Sequence, residues 1–267
     1  MKFHLPLLQR KHKFFIHSAL MGILISLFSF ATPAVRLQLI VVTIFVVLLG
    51  TFVIQYPNIN LRNYFMNLLL PIHLVLGAVL SLIYFPNLAL PIKLVGFVAF
   101  SVTFYIVALI NNVFLVVEDR TETIPLYRVA STWSQIILIT VAIPYFAGVF
   151  KLPLNTFYQT LLVSFSSLLF SLYLIWSFRF DKDVKVIEAG EKWLLCLFVA
   201  FCVFIFGVGF SFVPTESFLR ALFVASILMF GLSYLQNHFK NTITKKIVSE
   251  YIIISIIFLV LLVVFTP

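Results

Sequence analysis

Nine long apolar runs divide this chain, and each is about as long as the hydrocarbon core of a bilayer is thick. They fall approximately at 14–30, 37–55, 65–85, 92–117, 129–150, 156–178, 193–212, 219–236 and 251–265. A helical crossing needs about 20 mostly apolar residues. Lipid offers the backbone no hydrogen-bond partners, so a run of this length must bond to itself as a helix. Barrel strands would be shorter and would alternate with period two, which these runs do not. The expected fold is therefore all-α: a polytopic integral membrane helix bundle forming a single transmembrane domain over residues 1–267. Composition agrees: 63% of residues are hydrophobic and 10% charged, against roughly 45–50% and 25% in soluble domains. A soluble globule and a disordered chain are both excluded.

Charge placement gives an orientation. If the N-terminus is cytoplasmic, Arg36, Lys93, Lys151 and Arg220 are the only basic residues outside, one per outer turn, and the other 14 of the 18 are inside. This bias sets the N-terminus in and the C-terminus out. The first run is not read as a cleavable signal, because no small-residue cleavage site follows and Pro33 and Arg36 lead directly into the next run. The outer turns are short and carry Pro33, Pro86, Pro153 and Pro214, at spacings of 53, 67 and 61 residues. The arrangement expected is four antiparallel hairpins plus one closing helix. Either a duplicated hairpin or the ordinary turn chemistry of proline produces such a pattern. The net charge of +9 reflects this topology and not nucleic-acid binding, since no basic stripe stands clear of the apolar runs. Cys196 and Cys202 lie six positions apart within one run and read as small buried hydrophobes.

Ionisable groups at mid-membrane mark relays, voltage sensors and many ion-coupled carriers. No Asp, Glu, Lys or Arg lies near the middle of any run, which argues against those classes. His73 is the candidate intramembrane polar residue. It shares a face with Gly77, Ser81 and Tyr84 and so points toward other helices. His17 is the other histidine within a run. Ser18, Gly22 and Ser26, and Ser164, Ser167 and Ser171, form small-residue faces suited to close helix packing. Pro71 and Pro144 lie inside runs and should kink them.

The densest polar chemistry follows the fourth run: Asn111, Asn112, Glu118, Asp119, Arg120, Glu122 and Arg128. Read as a cytoplasmic-face connection, these residues suit a phosphorylated headgroup bound by the arginines, or a divalent cation held by the carboxylates. They equally suit an interfacial segment whose charges pair with one another. The mixed charges from Arg179 to Lys192 read as an amphipathic segment on the membrane surface or as a solvated connector. Nine spans with acidic residues after the sixth resemble the intramembrane aromatic prenyltransferases. That family needs an Asp-rich metal motif after the second span as well, and Tyr56–Asn63 has no carboxylate, so the resemblance ends at topology. Zinc-protease, serine-hydrolase and P-loop signatures are missing, and no metal site or cofactor is legible.

The function expected is that of a permease-like protein or an integral subunit of a membrane complex, in a bacterial plasma membrane. Its partners are then the lipid bilayer and, for a subunit, other membrane subunits. The alternative is a lipid-processing enzyme with a cytoplasmic-face site around Glu118, Asp119 and Arg120. A third reading is haem or quinone binding near His73.

Overall fold

A computed structural model describes residues 10–86, 88–120, 125–181 and 183–265. Among them the chain is helical, without strands: α1 Arg10–Phe30, α2 Pro33–Gln55, α3 Leu61–Tyr84, α4 Leu90–Arg120, α5 Pro125–Val149, α6 Thr156–Phe178, α7 Ala189–Gly209, α8 Ser217–Phe239 and α9 Lys245–Val264, with a 3-10 turn at Phe210–Phe212. All nine helices are long and apolar enough to cross a membrane. The protein is a multi-pass integral membrane protein.

Several helices begin about one turn before the apolar run that announces them, as α2, α3 and α7 do. Apolarity marks the lipid-facing length, whereas backbone bonding continues into the polar interface until a cap ends it. Pro33 opens α2, a position where the missing N–H costs nothing. The Asn155 side chain accepts from the Phe157 N–H at the start of α6, and Thr244 does the same for Ile247 in α9. α4 is the longest helix at 31 residues. It carries Glu118, Asp119 and Arg120 as helical residues, so the expectation that these lie on a connecting loop is corrected. Arg128, in the first turn of α5, is helical too.

The core is centred on α5, which packs against α3, α4, α6 and α8. The most extensive contacts are α3 with α5 and α6 with α7, followed by α5 with α8, α8 with α9 and α1 with α4. Glycines set the closest approaches. A Cβ on Gly148 would stand 2.3 Å from the Leu80 Cβ, and one on Gly77 would stand 3.0 Å from the Tyr145 backbone nitrogen. Helices without an aqueous driving force associate in this way, through small residues that let backbones meet. α9 is the opposite case: only Leu262 is fully buried, and most of its other apolar side chains are exposed.

Contacts between connections sort the polar residues to two ends of the bundle. At one end Asn63, Glu118, Arg179, Asp181, Lys185, Glu191, His238 and Lys240 meet one another. At the other, Arg36 lies over the Phe28 ring, Lys151 over Phe85 and Arg220 over Phe150.

Candidate functional site

The polar site grows from a proline. Pro71 lies inside α3 and has no N–H, so the carbonyl of Asn67, four residues earlier, lacks its helical donor. Asn111 of α4 supplies one: its Nδ2 donates to the Asn67 carbonyl at 3.0 Å. The Asn111 Oδ1 in turn accepts from the Tyr173 hydroxyl of α6 at 2.7 Å. Toward the end of the bundle, Asn67 Nδ2 donates to the Asn63 carbonyl at 2.9 Å, and Asn63 Nδ2 donates to Glu118 Oε2 at 3.0 Å. Arg179 completes the series by pairing with Glu118 Oε1 at 2.5 Å. A continuous polar string thus runs from Arg179 and Glu118 at the surface to Asn111 and Tyr173 inside, tying α3, α4 and α6. Asn67 and Tyr173 are fully buried and Asn111 nearly so. Asn67 Oδ1 is buried without a partner among the described residues, as is Gln55 Oε1 of α2.

The residues expected to act together therefore separate. Asn111 and Glu118 belong to the string. Asn112 is half-buried beside it, and Asp119 and Arg128 are exposed. Arg120 ends α4 without its side chain being described, and Glu122 lies outside the described residues. Both oxygens of Glu118 are engaged by Arg179 and Asn63, so this carboxylate is a neutralised anchor. Among the described residues no three His, Cys, Asp or Glu side chains converge as metal ligands. The sequence reading did not single out Asn63, Asn67, Tyr173 or Arg179 as a set. Its available signal was the pair Asn67 and Pro71, because a proline in a buried helix leaves a carbonyl that some side chain must satisfy.

His73 lies one and a half turns further along α3. Its Nδ1–H donates to the Leu69 carbonyl at 2.7 Å, and its ring is held between Tyr145, 4.9 Å away, and Phe170, 4.7 Å away. His17 packs instead on Phe104 and against Gly50. The two histidines have different ring partners.

The connection from α6 to α7 is a strap and not a surface helix. The Lys185 N–H donates to the Phe239 carbonyl at 2.9 Å, and Lys240 pairs with Asp181 at 2.7 Å. Lys185 and His238 both lie 2.7 Å from Glu191 Oε1. Burial alone would raise the Asp181 carboxyl. The hydrogen bonds from Lys240 and the Asp183 N–H, with the charges of Lys240 and Arg128, outweigh it and hold the group below the usual carboxylate value.

At the opposite end α1, α3, α4 and α5 enclose a cavity of about 270 Å³. Its rim includes Leu88, Ile92 and Gly96, all exposed, with the half-buried Lys93, and its floor Ile25, Leu74 and Phe100, all buried. Thr140 and Pro144 line the α5 side, where the expected kink residue withholds an N–H from the Thr140 carbonyl. Cavity and polar string share faces of α3 and α4. On α4, Gly96, Thr103, Val107, Asn111 and Glu118 recur at steps of seven, four, four and seven, and on α3, Asn63, Asn67, Leu70, Leu74 and Ala78 do likewise at three to four. About 10–12 Å of helix separates the cavity from the string, filled by Leu70 and Val107, both with 0% exposure. Comparison of the chain with protein-family models, curated proteins and solved structures gives no match at the level of significance applied.

Proposed function

We propose that this protein is a permease-like component of a bacterial plasma membrane, with the end bearing Glu118 and Arg179 in the cytoplasm and the cavity opening outside. One observation carries the reading: a cavity from one end and a polar string from the other approach along shared faces of α3 and α4, and one buried layer at Leu70 and Val107 holds them apart. That is the layout of a path closed at its middle, with Pro71 inside α3 beside the string and Pro144 inside α5 beside the cavity. The buried acceptors Asn67 Oδ1 and Gln55 Oε1 on the cytoplasmic side of the barrier support it further, since they are groups a passing donor could satisfy. The orientation rests on the distribution of basic residues. An enzymatic site around Glu118 is less well supported, because its carboxylate is already bound on both oxygens while Asp119 and Arg128 point outward.

Single cysteines at Gly96, Thr103, Val107 and Asn63, placed in a background with Cys196 and Cys202 replaced by alanine, test this in sealed vesicles. A small maleimide should label Gly96→Cys and Thr103→Cys, and an impermeant reagent applied outside should block both. Asn63→Cys should be blocked only from the cytoplasmic side, and Val107→Cys should stay unlabelled. Thr103→Cys that is inert, or blocked from the cytoplasm, would refute the reading.

A further inference from the structure

The outer cavity has a chemically uneven lining. Its floor and walls are mostly apolar, from Ile25, Leu74, Ala78 and Phe100, with the hydroxyls of Ser81, Thr103 and Thr140 among them, while its mouth carries one cation, Lys93. Lys93 is half-buried and makes no ion pair among the described residues. Local carboxylates are scarce as well. Of the nine Asp and Glu residues in the chain, only Glu216 belongs to an outer turn, where it precedes α8. Lys93 also stands in the first turn of α4, where the helix dipole favours an anion. A positive mouth above an apolar floor is complementary to a molecule with an anionic head and a hydrocarbon body. Size restricts it further: about 270 Å³ is at the lower edge of the roughly 300–1,000 Å³ typical of small-molecule sites. One chain fits and the two chains of a phospholipid do not.

We propose that this cavity binds one single-chain anionic amphiphile, a fatty carboxylate or an alkyl phosphate, with its chain against Leu74 and Phe100 and its head at Lys93. The inference rests on the permease reading for the site itself and adds the class of molecule that enters it. Gly96 provides a clean way to close the mouth, because a Cβ built there meets nothing within 4 Å. A side chain at this position enters open space without forcing helices apart.

The test uses the full-length protein in phosphatidylcholine nanodiscs at about pH 8, where a fatty carboxylate is ionised. Radiolabelled laurate is the probe, and dodecyl phosphate, dodecanol and dodecyltrimethylammonium are competitors. Laurate should bind saturably, and dodecyl phosphate should displace it better than dodecanol or the cation. Lys93→Gln should weaken laurate about tenfold, as expected for loss of one partly screened charge, and leave dodecanol unchanged. Lys93→Arg should restore it. Gly96→Phe should abolish binding of both. Laurate that is blocked by Gly96→Phe but indifferent to Lys93→Gln overturns the head assignment and leaves the cavity reading standing. Binding that survives Gly96→Phe, or no saturable binding of any probe, overturns both. Displacement of laurate by phosphatidylglycerol included in the nanodisc overturns the single-chain assignment in favour of a bilayer lipid.

Discussion

Replacing Asn111 by leucine removes two hydrogen bonds from the bundle interior at nearly constant volume. The Asn67 carbonyl and the Tyr173 hydroxyl both lose a partner, and both residues are fully buried. By the standard of soluble proteins, each orphaned group costs about 1–3 kcal/mol, which would make the substitution severe. Interhelical bonds measured in membranes average about 0.6 kcal/mol and reach about 1.7, because separated helices also find partners. The two groups differ in that respect. The Tyr173 hydroxyl can turn to its own helix once α6 is free, so its share is near the average. The Asn67 carbonyl is deprived by Pro71 in any helical state, so Asn111 contributes near the upper value there. The sum is about 2 kcal/mol. Reversible unfolding in mixed dodecyl sulfate micelles, followed by circular dichroism, measures it. Pro71→Ala restores the missing N–H and should recover roughly 1 kcal/mol of the Asn111→Leu loss, while Tyr173→Phe should couple to Asn111→Leu by about 0.6 kcal/mol or more. An Asn111→Leu protein within about 0.5 kcal/mol of the unaltered one, or strict additivity with Pro71→Ala, would show that the string holds nothing together.

Other substitutions have equally definite expected outcomes. Glu118→Gln should cost about 1 kcal/mol or less, since the Glu118–Arg179 pair is 24–35% exposed and screened, whereas Asp119→Asn should be silent in the same unfolding assay. Asp181 has its carboxyl held below the usual value in the folded state, so the stability it adds is complete above about pH 4 and is lost as pH falls below that value. Asp181→Asn should thus lose stability relative to the unaltered protein at about pH 5 in the same unfolding assay, and a Lys240→Gln background should shrink that difference. Gly148→Ala must displace Leu80, whose Cβ stands 2.3 Å from the added atom, and should lose about 1 kcal/mol after the helix-propensity gain is deducted. Gly96→Ala meets no such obstacle and should be neutral or stabilising by up to about 1 kcal/mol, read as Tm in detergent.

The number of helices, their approximate places and the membrane setting are legible in the residues themselves, because the demand behind them is local. Each backbone N–H and C=O in lipid must be satisfied within its own segment, so an apolar run of sufficient length has one solution wherever its neighbours lie. Helix ends were less legible, as Glu118 to Arg120 show, since hydropathy follows the lipid boundary and not the last backbone bond. Which faces meet was decided by tertiary packing alone. In water, apolar periodicity separates core from surface, but in a bilayer both sides of a helix can be leucine and valine, and α9 and α6 are both long apolar runs although α9 buries only Leu262 and α6 is largely buried. The polar string shows the same limit. Asn111 and Glu118 stood out by residue type, yet their partners Asn63, Asn67, Tyr173 and Arg179 are 44 to 62 positions away in the chain. Only the packing of α3, α4 and α6 brings a carbonyl freed by Pro71 within reach of an amide that needs it.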